Sequence, residues 1–505
     1  MPKLSRREFM AYLASSGLLV GCKGGAKKRV LVVGAGLGGL SAAIHLLEEA
    51  GDSVHVDLIH QGHLLGGKAT SWMEGDYRVG HGFHVLFGFY EEMLGLLERC
   101  GMNFDDHLLK NAGKLFFYED RDQKVYMAGG DVAHYPGFTA AERSNLTTWL
   151  LHNFGTISNI EEYPELDEIS FDDWALKTGM HASLLATNFF RYARDVIFNY
   201  PEPISAYIVA EFMRTGFQLH GTHNPADVYY ANGDMVESFI KPLATYFKKL
   251  GGNLTPRLKV RRLLHSGSRV TGVEVAEPDP PSTHCATGDW PGGAVSVNED
   301  TSHVLDDYDA YVVAMPYEAF LELNPGDKDF WSDSVFSKFH NLRGAASLSC
   351  RFWCNSPVGT ERYAGVLNGM PEPVPTVMDW RHVLKDADSR WAATLDCCGP
   401  LAGYEHMDDD TLISLIGERL GKVPGLKNPL ECDLDRVWFR RNDSKHGRLL
   451  IPVPGGLKYR PYPATSLDNL WLAGDWVRNS FEIPTMEGAA RSGKDAALQL
   501  LRRIG

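Results

Sequence analysis

Much of what would specialise a protein of this size is missing from its sequence. Beyond the N-terminus no stretch reaches the roughly eighteen consecutive apolar residues of a membrane-spanning helix, so none is expected. There is no pair of Cys-x-x-Cys motifs and no Cys/His ligand spacing, which leaves a metal site without support. Positive charge is scarce: 50 Lys and Arg against 64 Asp and Glu give a formal charge of -14. Nucleic acid and anionic lipid surfaces both require clustered cations, so neither is an expected partner on charge grounds. Internal repeats and low-complexity blocks are absent as well. Small molecules remain, and 505 residues are enough for two intertwined domains.

Cysteine is present, but not as a disulfide framework. Of eight cysteines, Cys22 falls at the end of the N-terminal segment, and the seven others are Cys100, Cys285, Cys350, Cys354, Cys397, Cys398 and Cys432. Seven cannot pair completely, and ring strain disfavours a bridge between the adjacent Cys397 and Cys398, so these two are expected as buried apolar thiols. The N-terminal segment has the layout of an export signal. FMAYLASSGLLVG (9–21) is a short apolar stretch behind a basic start, SRREFM fits the twin-arginine pattern, and LVGC fits the site at which bacterial lipoproteins are cleaved and acylated on cysteine. Arginine pairs also occur at 261–262, 440–441 and 502–503, so order and position carry this reading. Residues 1–22 are therefore expected to be a twin-arginine lipoprotein signal. The chain would be exported folded to the bacterial envelope and held at the membrane surface, facing the periplasm or exterior, by a lipid on Cys22.

After a KGGAKK tether, RVLVVG reads as a buried strand, LSAAIHLLEEAG as a helix and VHVDLI (54–59) as a second parallel strand. Between the first strand and the helix lies Gly34-Ala35-Gly36-Leu37-Gly38-Gly39. That context makes the glycine pattern a dinucleotide loop: Gly34 for the tight turn, Gly36 for backbone approach to a pyrophosphate, Gly39 for close helix packing. An acidic residue normally ends the second strand and accepts the ribose hydroxyls; here it is His60. A neutral imidazole accepts one hydrogen bond, so His60 either holds the ribose more weakly or simply ends the strand. NAD and FAD share such a loop. Two further features suit a longer ligand: the glycine turn Leu65-Gly66-Gly67-Lys68-Ala69, and the closing Leu472-Ala473-Gly474-Asp475-Trp476 with Met486-Glu487-Gly488-Ala489 opening a final helix. From about 135 to 220 the pattern is helical and rich in aromatics. LTPRLKVRRLLHSGSRVTGVEVAE reads as paired strands, 277–300 as a surface loop, YDAYVVAMP as a buried strand, and 343–400 as a sheet.

From about residue 29 to its end, the chain resembles the flavin-dependent amine oxidase and phytoene desaturase superfamily. Within it, the likeness is to plant and cyanobacterial carotene desaturases and to related hydroxysqualene-processing flavoenzymes. GGKATSWMEGDYRVGHGFHVLFGFY, ISFDDWALKTG with PISAYIVAEF, LRGAASLSCRFWCNSPV, and NLWLAGDW with TMEGAARSGKDAA carry the resemblance. It implies an α/β fold: a Rossmann-type FAD-binding domain of the glutathione-reductase-related kind (29–130, 225–320, 465–505) interleaved with an α+β substrate domain (131–224, 321–464). It also implies that Gly34, Ala35, Gly36, Gly38 and Gly39 bind the FAD pyrophosphate. Gly66, Gly67, Lys68 and Ala69 would lie near the phosphates and ribityl chain, and Val260 would meet the adenine through its backbone. Gly474 and Asp475 would hold the ribityl-pyrophosphate region, and Met486 would present its N–H to the flavin. Two acids of the family are replaced, one by His60 and one by Gly80.

The activity implied is dehydrogenation of a hydrophobic, isoprenoid or carotenoid-like substrate by hydride transfer to flavin N5, with a quinone or oxygen taking the electrons. Such chemistry needs an apolar tunnel and no side-chain nucleophile. Phe83-His84-Val85-Leu86-Phe87 and Phe189-Phe190-Arg191-Tyr192 are candidates to line it, with core packing as the alternative. His84 is the candidate proton acceptor, and Arg191 with Arg194 the candidates for holding a polar group. Amine oxidase, carotenoid isomerase and non-catalytic flavin or lipid binding are the other functions compatible with the same motifs. Gly474-Asp475, in place of the Gly-Glu usual in amine oxidases, favours the desaturase side.

Overall fold

Lys28–Val33 and Val54–Ile59 are runs of β-branched and leucine residues buried almost throughout, the composition of strands covered on both faces. In the computed structural model they pair in parallel at the centre of a five-stranded sheet. The described residues are 27–504 apart from 63, 81, 111–114, 129–133, 196–201, 218–222, 226, 234, 280–295, 360–365, 384–389 and 445–446. The expected signal and Cys22 lie outside them, as do Cys285 and most of the 277–300 loop. The ends of that loop close on each other through Asp279 N–H to Ser296 O (3.0 Å) and Asn298 N–H to Glu277 O (2.9 Å).

The order in the parallel sheet is Asn253–Thr255, Val54–Ile59, Lys28–Val33, Ala310–Val313, Leu470–Leu472, so strands from three distant parts of the chain complete one Rossmann-type layer. One boundary differs from the sequence reading. Asn253–Thr255 joins this sheet, and only Lys259–Ser266 pairs with Arg269–Ala276 as the expected antiparallel ribbon. Pro256 and Arg257, the latter with φ 59°, break the run between them. The Leu37–Ala50 helix crosses from the first strand to the second, and the C-terminal helix Met486–Ile504 packs along it. Gly39 permits the strand-to-helix approach, since a Cβ there would lie 1.8 Å from the Gly34 carbonyl oxygen.

A second, seven-stranded sheet runs Leu434–Asn442, Ser347–Cys354, Ala393–Pro400, Thr376–Asp379, Val366–Asn368, Leu115–Glu119, Lys124–Ala128. Its two faces differ, as the period of a strand allows. Leu348, Cys350, Phe352, Leu395 and Cys397 form a core with Leu412, Ile416 and Leu420 of the Asp409–Gly421 helix. Ser347, Ser349, Arg351, Asp396 and Cys398 point the other way. Cys397 and Cys398 are both free and buried, as expected of apolar thiols. The aromatic-rich helical segment holds Ala140–Ser158, Phe171–Lys177, Asn188–Asp195 and Ala206–Phe217; the first begins with a capping box between Thr139 and Glu142.

Candidate cofactor and substrate site

One cavity of about 470 Å³ lies between the parallel sheet and the seven-stranded sheet, lined from both. Its first wall is main chain. Gly34, at the end of the first strand, has φ 107°, and a Cβ there would come 2.3 Å from the Ala314 carbonyl oxygen, so only glycine fits. Gly66 N–H donates to Ala35 O (2.9 Å), which lays the Gly66-Gly67 turn on the first loop; a Cβ on Gly67 would lie 3.2 Å from Gly36 Cα. The Leu37–Ala50 helix starts at Gly36 without a side-chain cap. Its first amides, with no intrahelical acceptor, open into a side-chain-free groove, a fit for a diphosphate. Gly474 closes against Gly38, where a Cβ would be 3.0 Å from Gly474 N. Gly474 N–H in turn donates to Ser492 Oγ at 2.9 Å. Gly38 faces the cavity, whereas Gly39 serves the packing behind it.

The other sequence-predicted residues gather on the same cavity. Ala69, Val260, Asp475, Met486 and His60 all line it. Lys68 lines it too, but its ammonium is already paired with Asp475 (3.0 Å). His60 ends the second strand, and its Nε2–H donates to the Leu64 carbonyl, which pins the turn that follows. The Gly80 departure has a steric reason: a Cβ there would lie 3.2 Å from both Ser71 Cβ and Thr70 O, so the hairpin has little room for an acid. Beside the Lys68–Asp475 pair sits Glu318, which the sequence reading missed. Burial pushes its carboxyl up to about 7, with Lys68 opposing the shift. Nothing in Pro316-Tyr317-Glu318 distinguishes it locally from an ordinary acidic first turn of a helix.

The far end of the cavity is side chain. Phe83, Val85 and Phe87 line it with Tyr90, Phe212 and Val228. Leu86 points away into the core. Phe189 and Phe190 do not line the cavity: Phe189 packs on Tyr135 (4.7 Å between centroids) and Phe117 (4.9 Å), and Phe190 stacks on Phe171 and Phe138, so here core packing wins. Arg191 does not line it either; it bonds Asn188 Oδ1 (3.0 Å) and pairs with Asp120 and Glu372. The side chains of Tyr192 and Arg194 lie outside the described residues. His84 does reach the wall. Burial takes its imidazole down to about 4, against a bond to the Lys68 backbone, and Nδ1 has no hydrogen-bond partner among the described residues. It is therefore neutral at pH 7.

A buried ionic cluster secures the groove from behind. Glu92 accepts from His45 (2.7 Å), Arg99 (3.1 Å) and Lys494 (2.5 Å), and His45 and Lys494 hold it down to about 2 despite burial. Glu487 accepts the Glu92 and Met93 amides (3.0 and 2.8 Å), capping the Glu91–Arg99 helix from the C-terminal one.

Comparison with known proteins agrees with this architecture. The sequence profile of the family described as flavin containing amine oxidoreductase matches residues 37–501. The chain is 25% identical to a zeta-carotene desaturase of Synechocystis sp., over 94% of this chain and 97% of that protein. It is 22% identical to a 15-cis-phytoene desaturase of Synechococcus elongatus, over 94% and 96%. Among solved structures, an oxidoreductase from Methanosarcina mazei has a TM-score of 0.65 at 15% identity, covering 94% of this chain and 100% of that one. Putrescine oxidase bound to putrescine has a TM-score of 0.64 at 14% identity, covering 94% and 99%. At such identities these structures establish the fold.

Proposed function

The chain belongs to the flavin containing amine oxidoreductase family and is an FAD-dependent oxidoreductase, and from that premise we propose that it dehydrogenates a hydrophobic, isoprenoid-like substrate. The observation that carries this is the wall away from the glycine groove, made of Phe83, Val85, Phe87, Tyr90, Leu115, Phe212, Val228 and Val366. The acidic residues among the described lining positions are Glu322 and Asp475. Asp475 is neutralised by Lys68, and Glu322 stands beside Lys259, next to Val260. An ammonium substrate would be desolvated at the apolar wall without a carboxylate to meet it, which costs far more than burying a hydrocarbon there. The relatives named as carotene and phytoene desaturases support the same direction.

In this reading Gly34, Ala35, Gly36 and Gly38 and the uncapped helix hold the diphosphate, and Lys68 with Asp475 sets the adjoining edge. Val260 flanks the adenine end and Met486 the flavin end. When bound, FAD supplies the two-electron acceptor that no side chain here provides. The chain's own task is to exclude water, orient the apolar chain and accept the proton released with the second hydrogen. His84, neutral above about pH 4, is the candidate for that last role.

The reading extends to a mature protein lipidated at Cys22 on the outer side of a bacterial membrane, with a quinone or oxygen as electron acceptor. Its support is the order SRREFM, apolar run, LVGC in the sequence. Cys22→Ser should release the protein from washed membranes into the supernatant; a variant that stays bound refutes the anchor.

Anaerobic titration tests the chemistry. Bleaching of the flavin band by an isoprenoid lipid, with a new double bond in the product, is the expected result. An isomerised product without bleaching would indicate an isomerase, bleaching by diamines alone an amine oxidase, and neither a binding protein.

A further inference from the structure

We propose that the sheet wall of the cavity recognises an oxygen on the substrate, so that the molecule oxidised is an isoprenoid-like chain bearing a hydroxyl or carbonyl group in place of a pure hydrocarbon. This rests on the preceding reading of the site and narrows its substrate class.

The register of the seven-stranded sheet places the relevant groups together. Ser349 is directly opposite Cys398, and Cys398 opposite Thr376, on three neighbouring strands; one step along the same face, Ser347 is opposite Asn442. All five line the cavity. The other face of the same strands, with Cys350, Phe352 and Cys397, packs into an apolar core, so the polarity belongs to the side that faces the cavity. Two of these side chains have hydrogen-bonding atoms with no partner among the described residues: Ser349 Oγ and Asn442 Oδ1. Ser349 is 1% exposed and Asn442 6%, so bulk water does not compensate them. The orientation of the Asn442 amide is set by its surroundings. Its Nδ2 donates to the Gly447 carbonyl, which can only accept, and to Ser347 Oγ at 3.3 Å, which leaves Oδ1 as the orphan.

A buried polar group left unpaired costs about 1–3 kcal/mol, and a hydrocarbon would leave both in that state. A hydroxyl ligand can donate to Asn442 Oδ1 and accept from the Ser349 hydroxyl, which is free to rotate about its C–O bond. A carbonyl ligand can accept from Ser349. The apolar residues that line the rest of the cavity, Phe87, Phe212 and Val228 among them, would hold the chain. Recognition is thus amphipathic: one polar end on the sheet, one apolar body along the aromatic wall.

The experiment uses the purified flavin-loaded protein and compares geranylgeraniol with the corresponding hydrocarbon lacking the hydroxyl, in the same detergent, following perturbation of the bound-flavin absorption under anaerobic conditions. The alcohol should bind about tenfold more tightly, as one hydrogen bond and one relieved orphan allow. Ser349→Ala and, separately, Asn442→Leu should each shrink that preference toward unity by weakening the alcohol while leaving the hydrocarbon unchanged or tighter. A merely structural role would weaken both ligands equally and overturn the proposal. Equal affinities in the wild type would overturn it while leaving the hydrophobic-substrate reading intact. If neither lipid perturbs the flavin but putrescine does, both fall. Loss of flavin from the Ser349→Ala protein would assign the strip to the cofactor and also overturn the proposal.

Discussion

At Gly34 and Gly36 the cavity is lined with main chain; at Ser349 and Asn442, on the seven-stranded sheet, it is lined with side chains. The first wall is held by steric necessity: Cβ positions at 34, 38 and 39 fall on backbone atoms that cannot retreat. The second is placed by strand register, and its side chains take no part in the backbone pairing. A backbone-built wall therefore tolerates almost no substitution, whereas the side chains of the second wall can change without altering the strand pairing.

The largest test of this contrast is Gly39→Ala. With a methyl 1.8 Å from the Gly34 carbonyl, the strand-to-helix turn must move. Purified protein should carry almost no flavin and unfold several degrees earlier, a loss of roughly 3 kcal/mol or more. Retention of flavin at wild-type stoichiometry would show that the groove is less rigid than its geometry requires.

Glu318 is buried beside the Lys68–Asp475 pair, and its effect depends on pH. Its folded carboxyl sits at about 7 against an ordinary 4.5, so between those values the folded state keeps a proton that the unfolded state has released. The contribution is fully present below 4.5 and is lost as pH rises through 7. Glu318→Gln, always neutral, should gain on the wild type across that window, by on the order of 3 kcal/mol. Denaturant melts at pH 4.5 and 8 check it; a difference that does not grow with pH refutes the buried-acid description.

Lys68→Met leaves Asp475 without its cation at the edge of the groove. We expect flavin affinity to fall about tenfold, roughly 1.4 kcal/mol, measured by fluorescence on cofactor release. The smallest effect belongs to a position remote from both walls. Gly155 lies inside the Ala140–Ser158 helix with nothing within 4 Å of a would-be Cβ. Gly155→Ala should stabilise the protein by about 0.5–1 kcal/mol and leave flavin binding unchanged.

Much of the first wall was legible in the sequence, because a glycine loop between a buried strand and a helix is local information. So was the polarity pattern of the closing Gly474-Asp475 segment and its helix. The second wall was not. Phe189 and Phe190 look as lipid-facing as Phe83 and Phe87 in the sequence, and only packing against Tyr135, Phe117 and Phe171 sends the first pair to the core. Arg191 reads as an available cation until Asp120 and Glu372 are seen beside it. Glu318 shows no distinctive local signal, since its raised pKa arises from burial.

What the sequence determined by itself is the βαβ unit, its glycine-lined turn and the family to which these motifs point, because backbone conformation and periodicity act over a few residues. What only the tertiary structure decided is which side of the Ser347–Cys354 strand faces the cavity, and with it the row Ser349, Cys398, Thr376. These three residues, from 349 to 398 in the chain, become neighbours only through strand pairing, and pairing register is set by the burial of an entire sheet face.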